Sequence, residues 1–182
     1  MNGRFIRLLP RLGLAIALLC MAAWAALAAV DRSDAANMAG LSDTAFRVRM
    51  AAGLPDGASA YWYAAVGERA LRIPDLDPDF AISAFERSLQ LEDRDGETWA
   101  RLAHARFVAG MSASSVSTAL GRSYQRMPVA ARQFRAWRLR LAEAAWQELP
   151  VGVRAQAAVE ARTQSRDWLA ENTPDLMSSM PE

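Results

Sequence analysis

The first apolar pattern is an unbroken run, LGLAIALLCMAAWAALAAV, over residues 12–30. No charged or strongly polar side chain interrupts it. As a helix these residues span about 28 Å at ~1.5 Å per residue, close to the ~30 Å of a bilayer's hydrocarbon core. Arg4, Arg7 and Arg11 precede the run, and no acid occurs before Asp31. The positive-inside rule then predicts a single-pass signal anchor in a bacterial-type inner membrane. Residues 1–11 would be cytoplasmic and everything after residue 30 periplasmic. A second reading stays open. Ala26-Leu27-Ala28 is an A-x-A site, and cleavage near Ala28 would release the rest to the periplasm. The run is longer than a usual signal h-region, and Trp24 suits an interfacial aromatic anchor, so retention is favoured.

The pattern then changes. Residues 31–57 read as a linker: Asp31, Ser33, Asp34, Asn37 and Gly40 are loop-like, Ser42-Asp43 can cap a short helix to Met50, and Gly53-Leu54-Pro55-Asp56-Gly57 is a turn. From Ala58 the chain reads as helix after helix. The first covers about 58–72. Pro74 and Pro78 bound a connector, and Asp79 can cap a helix over about 79–92 whose Ile82, Phe85 and Leu89 follow i, i+3, i+7 spacing. A third, about 97–109, carries Trp99, Leu102, Ala103 and Phe107 and ends at Gly110. Ser112 caps a fourth, to about Arg126. The fifth, about 129–148, has one apolar face of Phe134, Trp137, Leu141, Ala144 and Ala145 and a second strip of Leu139, Ala142 and Trp146. That places it between neighbours. A sixth is expected over about 151–171, with Val153, Val159, Trp168 and Leu169. Residues 172–182, NTPDLMSSMPE, read as a flexible tail. No alternating β pattern appears. The expectation is an all-α chain, with a helical domain over 58–171.

The helical pairs share a spacing. Ala81, Phe85, Ser88 and Leu89 precede a turn at Asp93; Trp99, Leu102, Ala103 and Gly110 follow, and Met127-Pro128 closes the unit. Trp62 holds the corresponding place upstream, after a connector three residues longer. Over residues 60–128 this resembles about two degenerate tetratricopeptide repeats, whose units carry W-x2-L-G, then a Gly, A-x3-F-x2-A and Pro. Ala103 stands where the family has Gly, and Asp93 where it has Pro. The resemblance implies an array of antiparallel helical hairpins, completed by the fifth and sixth helices as a divergent third pair. An irregular helical bundle is the alternative. The motif positions are packing positions and imply no chemistry.

Candidate chemistry is sparse. The one cysteine, Cys20, lies inside the apolar run, so the remaining domain carries no disulfide framework. His104 has no ligand at metal-binding spacing; its nearest acid in sequence is Glu97. It reads as a surface or groove-facing side chain. No phosphate-binding glycine loop or nucleophile elbow occurs. The acidic stretches DLDPD (75–79) and EDRDGE (92–97) read as caps and turns rather than calcium loops. The expectation is a non-enzyme with no cofactor and no metal. Six tryptophans is a high number for this length, and at helical spacing those beyond the run fit the core, although Trp62 with Tyr61 and Tyr63 is too dense a cluster to be wholly buried.

Charge adds the main functional clue. All 21 basic residues are Arg. Residues 31–98 hold 7 Arg and 13 acids, net −6; residues 99–166 hold 11 Arg and 3 acids, net +8. No acid lies between Thr98 and Ala142, where Arg101, Arg106, Arg122, Arg126, Arg132, Arg135, Arg138 and Arg140 fall. Arg122, Arg126, Arg132, Arg135 and Arg138 are therefore the candidate site for an anionic partner: an acidic protein segment, a polysaccharide or lipid headgroups, but not nucleic acid on the outer side of a membrane. The alternative is that the basic half packs against the chain's own acidic half. The function expected is a membrane-anchored periplasmic adaptor or scaffold in a cell-envelope assembly, with polysaccharide handling among its candidate roles; the alternative is a small accessory subunit of a membrane complex.

Overall fold

The computed structural model describes the backbone of residues 3–180 and the side chains of residue 14 and residues 16–180. The side chains of Arg4, Arg7 and Arg11, and residues 181–182, lie outside the described residues. Every regular element among the described residues is helical.

Helix α1 (Gly3–Gly40) runs without a break through the apolar segment and ten residues beyond it. It is the one described helix long and apolar enough to cross a membrane. Its apolar side chains touch little of the rest of the chain: Trp24 is 73% exposed, and Leu19, Leu27 and Val30 are similarly open. The loop expected over 31–40 is helical instead. Asp31, Ala35 and Met38 recur at i, i+4, i+7 and meet α3 (Ala60–Leu71); Ala35 and Met38 are buried. Extending a formed helix needs no new nucleus, so isolated Ser, Asp and Asn residues do not stop it once one face gains a partner.

The short helix α2 (Asp43–Met50) is capped by Ser42, as the sequence predicts, and buries Phe46. The Gly53 to Gly57 segment is a turn, with both glycines at positive φ. Ser59 caps α3; its hydroxyl accepts from the Trp62 amide at 3.0 Å and donates to Asp31 Oδ1 at 2.6 Å. Trp62 and Tyr63 are buried and Tyr61 is open, so the aromatic cluster is divided between core and surface. Helix α4 (Pro78–Leu91) starts one residue earlier than predicted: Asp77, not Asp79, is its cap, because Pro78 is suited to the first helical position. Its Phe85 packs so closely on Gly67 that a Cβ there would lie 2.7 Å from the ring. Asp95 caps α5 (Gly96–Val108), Gly110 follows it at φ 66°, and Ser112 caps α6 (Ala113–Arg126). Successive helices α3 to α6 pack side by side, α3 on α4, α4 on α5 and α5 on α6.

Helix α7 (Arg132–Ala144) is shorter than predicted and continues as a 3₁₀ turn, Trp146–Glu148. The predicted sixth helix is two, α8 (Val151–Ala161) and α9 (Arg166–Asn172). The Thr163 hydroxyl bonds the Glu160 carbonyl at 2.7 Å and Ser165 caps the new helix, so local side-chain bonds end one helix and begin the next. The tail is not wholly free either. Residues Pro174–Ser178 form α10, Leu176 is fully buried, and Glu143 caps the turn by accepting from the Asp175 and Leu176 amides at 2.7 and 2.9 Å.

Candidate functional site

Three helices contribute to one open groove of about 550 Å³. Helix α3 gives Glu68, Leu71 and Arg72; α5 gives Glu97, Arg101 and His104; the start of α7 gives Gln133, Phe134 and Trp137. The spacings put each set on a single helix face. Arg101 reaches Glu68 at 3.5 Å and Glu97 at 3.3 Å, and Arg72 also pairs with Glu68. The Arg101 guanidinium lies 5.7 Å from the Phe134 ring centroid. Phe134 and Trp137 are 5.2 Å apart, and His104 meets Trp137 edge-on at 5.4 Å. Both aromatic rings are only partly buried.

The electrostatics follow from this packing. Burial pushes the His104 imidazole below its ordinary pKa of 6.5, so it is neutral at neutral pH. Glu68, Glu97, Arg72 and Arg101 largely balance one another. The groove therefore offers aromatic surface beside fixed donors and acceptors, which suits an amphipathic ligand more than a purely anionic one.

The five arginines singled out from the sequence do not form one patch. Arg138 is fully buried, and it pairs with Glu160, itself fully buried. Arg138 Nε donates to Glu160 Oε2 at 3.0 Å, and Nη1 donates to Ser123 Oγ at 3.0 Å and to the Met127 carbonyl at 2.9 Å. Its guanidinium lies 4.2 Å from the Tyr124 ring centroid. Burial first, and then the Glu160 charge, push the Tyr124 phenol well above its usual range. Arg138 is thus a core residue and is corrected from the anion site. An Arg at an apolar-strip position reads as surface only until a buried carboxylate is known to meet it.

Arg126 pairs with Asp93, and Arg135 bonds Thr163 and the Ala130 carbonyl at 3.2 Å. Arg122 and Arg132 are exposed without a hydrogen-bonding partner among the described residues. Part of the basic stretch does neutralise the acidic one: Arg101 meets Glu68, Arg106 meets Glu86 and Arg126 meets Asp93.

Sequence reasoning assigned Phe134 and Trp137 to the core and did not join them to Glu97 and Arg101. The available signal was the Glu97/Arg101 i,i+4 pair followed by His104 on the same face. Among the described residues, no three or more His, Cys, Asp or Glu side chains gather as a metal site. The chain matches no protein-family model, no curated protein and no solved structure.

Proposed function

We propose that the chain is a membrane-anchored helical adaptor. In this reading α1 holds it in a bacterial-type inner membrane, and the remainder, an array of antiparallel hairpins of tetratricopeptide type, works in the periplasm. It acts by binding a protein partner in a cell-envelope assembly, not by catalysis. The observation that carries the reading is the groove between α3, α5 and α7, where Phe134 and Trp137 stand open beside Arg101, Glu68 and Glu97. Partly exposed aromatics next to Arg are the residue types that dominate protein interfaces. An extended partner segment with one apolar side chain and mixed charges would fit there. The side-by-side packing of α3 to α6 is compatible with a hairpin array.

The test is partner capture. Full chain is extracted in mild detergent, and co-purifying proteins are identified and then bound directly. Phe134→Ser with Trp137→Ser should weaken that binding by about thirty-fold or more, the effect of losing an interfacial hot spot. The melting transition, read alongside, separates this loss from unfolding. Undiminished binding by a folded variant would refute the groove. The accessory-subunit reading, supported by the bare apolar surface of α1, gives a different result: exchanging residues 12–30 for an unrelated anchor would then destroy partner capture, whereas an adaptor keeps it.

A further inference from the structure

Asp31, the first residue after the apolar run, accepts a hydrogen bond from Ser59 at the start of α3. That bond puts the beginning of α3 level with the end of the run. The same level can be followed across the fold. Ser88, late in α4, donates to the Ala60 carbonyl at 2.8 Å. Ser123, late in α6, donates to the Gly96 carbonyl at the start of α5, at 2.7 Å, and Arg126 meets Asp93 beside it. The Ala130 amide donates to Glu160 at 3.1 Å, and Arg135 at the start of α7 meets Thr163, just past α8. One end of the stack, made of the starts of α3, α5 and α7 and the ends of α4, α6 and α8, therefore gathers where the apolar helix emerges. No flexible linker intervenes, because α1 is continuous into the core.

The charges at this end are unequal in availability. Asp31, Asp93, Asp95 and Glu160 are engaged by Ser59, Arg126, the α5 amides and Arg138. Arg32, Arg94, Arg132 and Arg162 are exposed and make no ion pair among the described residues, and Asp34 and Glu92 are exposed acids close in sequence to Arg32 and Arg94. Leu91 and Val129, 61% and 58% exposed, lie at the same end.

We propose that this end is a headgroup-facing surface that binds the anionic phospholipids of the bilayer holding α1. The inference rests on the anchored reading above. Arginine forks suit phosphate oxygens, and apolar side chains at this level enter the boundary between headgroups and acyl chains. The helical domain would then be seated on the membrane, with the far end, around Met111, turned away.

The test uses the full chain with Cys20→Ser and one introduced cysteine, either Val129→Cys or Met111→Cys, carrying a fluorophore. The protein is reconstituted in vesicles of phosphatidylcholine alone or with about 30% phosphatidylglycerol, each with a headgroup-nitroxide lipid as quencher. With phosphatidylglycerol, the label at 129 should be quenched several-fold more than that at 111. Arg94→Glu, Arg132→Glu and Arg162→Glu together should remove about half or more of that quenching. Equal quenching at the two positions in chain that floats with the vesicles overturns the seating and leaves the anchored reading standing. Chain that does not float overturns both. Preference for 129 that is the same in pure phosphatidylcholine, and insensitive to the charge reversals, overturns anionic-lipid recognition.

Discussion

Removing Glu160 isolates the interaction on which the second half of the domain depends. Arg138 on α7 and Glu160 on α8 are both fully buried. Their bonds extend to Ser123 and Met127, at the end of α6 and just past it, and to the Ala130 amide before α7. Glu160→Ala leaves a guanidinium sealed from water with two neutral acceptors, and leaves the Ala130 amide without its acceptor. Breaking a buried pair by removing one partner costs about 3–5 kcal/mol. For a chain of this size each kcal/mol moves the melting temperature by about 2–4 °C, so the expected loss is roughly 6–20 °C. The assay is thermal melting of the full chain in detergent, followed by far-ultraviolet circular dichroism. Arg138→Met with Glu160→Leu supplies the contrast. That variant buries no unpaired charge and should melt above Glu160→Ala, although the Ala130 amide and the Met127 carbonyl still lose partners at about 1–3 kcal/mol each. If Glu160→Ala melts within about 2 °C of the parent chain, the pair is not buried as the structure has it and the reasoning fails.

Two further outcomes follow from the same packing. His104 is held below its ordinary pKa by burial, so its contribution to stability is complete above about pH 6.5 and is lost as pH falls through the lowered value. His104→Gln should therefore melt with less dependence on pH between about 7.5 and 5.5; an unchanged dependence would show that the ring is solvated. Leu176→Ala should destabilise by about 2 kcal/mol and open residues 173–180 to protease, because the fully buried Leu176 side chain fixes α10. Cleavage there at equal rates in parent and variant would mean the segment is never docked.

The elements were legible wherever a cap and an apolar stripe coincided. Ser42, Ser112 and Gly110 marked their helix ends correctly, and the stripe through Ile82, Phe85 and Leu89 is the buried face of α4. Errors arose where a tertiary contact overrode a local signal. Residues 31–40 look like loop by composition, but α3 gives their Ala35–Met38 face something to cover. The tail looks unstructured, but Glu143, thirty-two residues before Asp175, supplies its cap. The candidate site shows the same division. A count of arginines locates a basic stretch, but only the positions of Glu68, Glu86, Asp93 and Glu160 reveal which charges are neutralised and which remain available. His104 facing a groove could be anticipated; the aromatic floor beside it could not, because Phe134 and Trp137 share an apolar face with Leu141 and Ala145, which are buried.

The relation between α1 and the domain narrows what the apolar run can be for. The buried core residues begin at Ala35, and the first bond from α1 to α3 comes from Asp31. Among the described residues of the run, none is therefore part of the buried core. Their exposed leucines, Trp24 and Val30 present apolar surface that water penalises at about 25 cal/mol per Å². A stretch that the described core does not bury and that water disfavours has the length and apolarity of a membrane anchor or a signal sequence. Because the helix reaches the core unbroken, whatever covers the run also fixes the height of the domain beside it. The same continuity means that cleavage near Ala28 would leave Asp31, Ala35 and Met38 in place. Retention and core stability are separable, and the anchor's role can be tested without unfolding the domain.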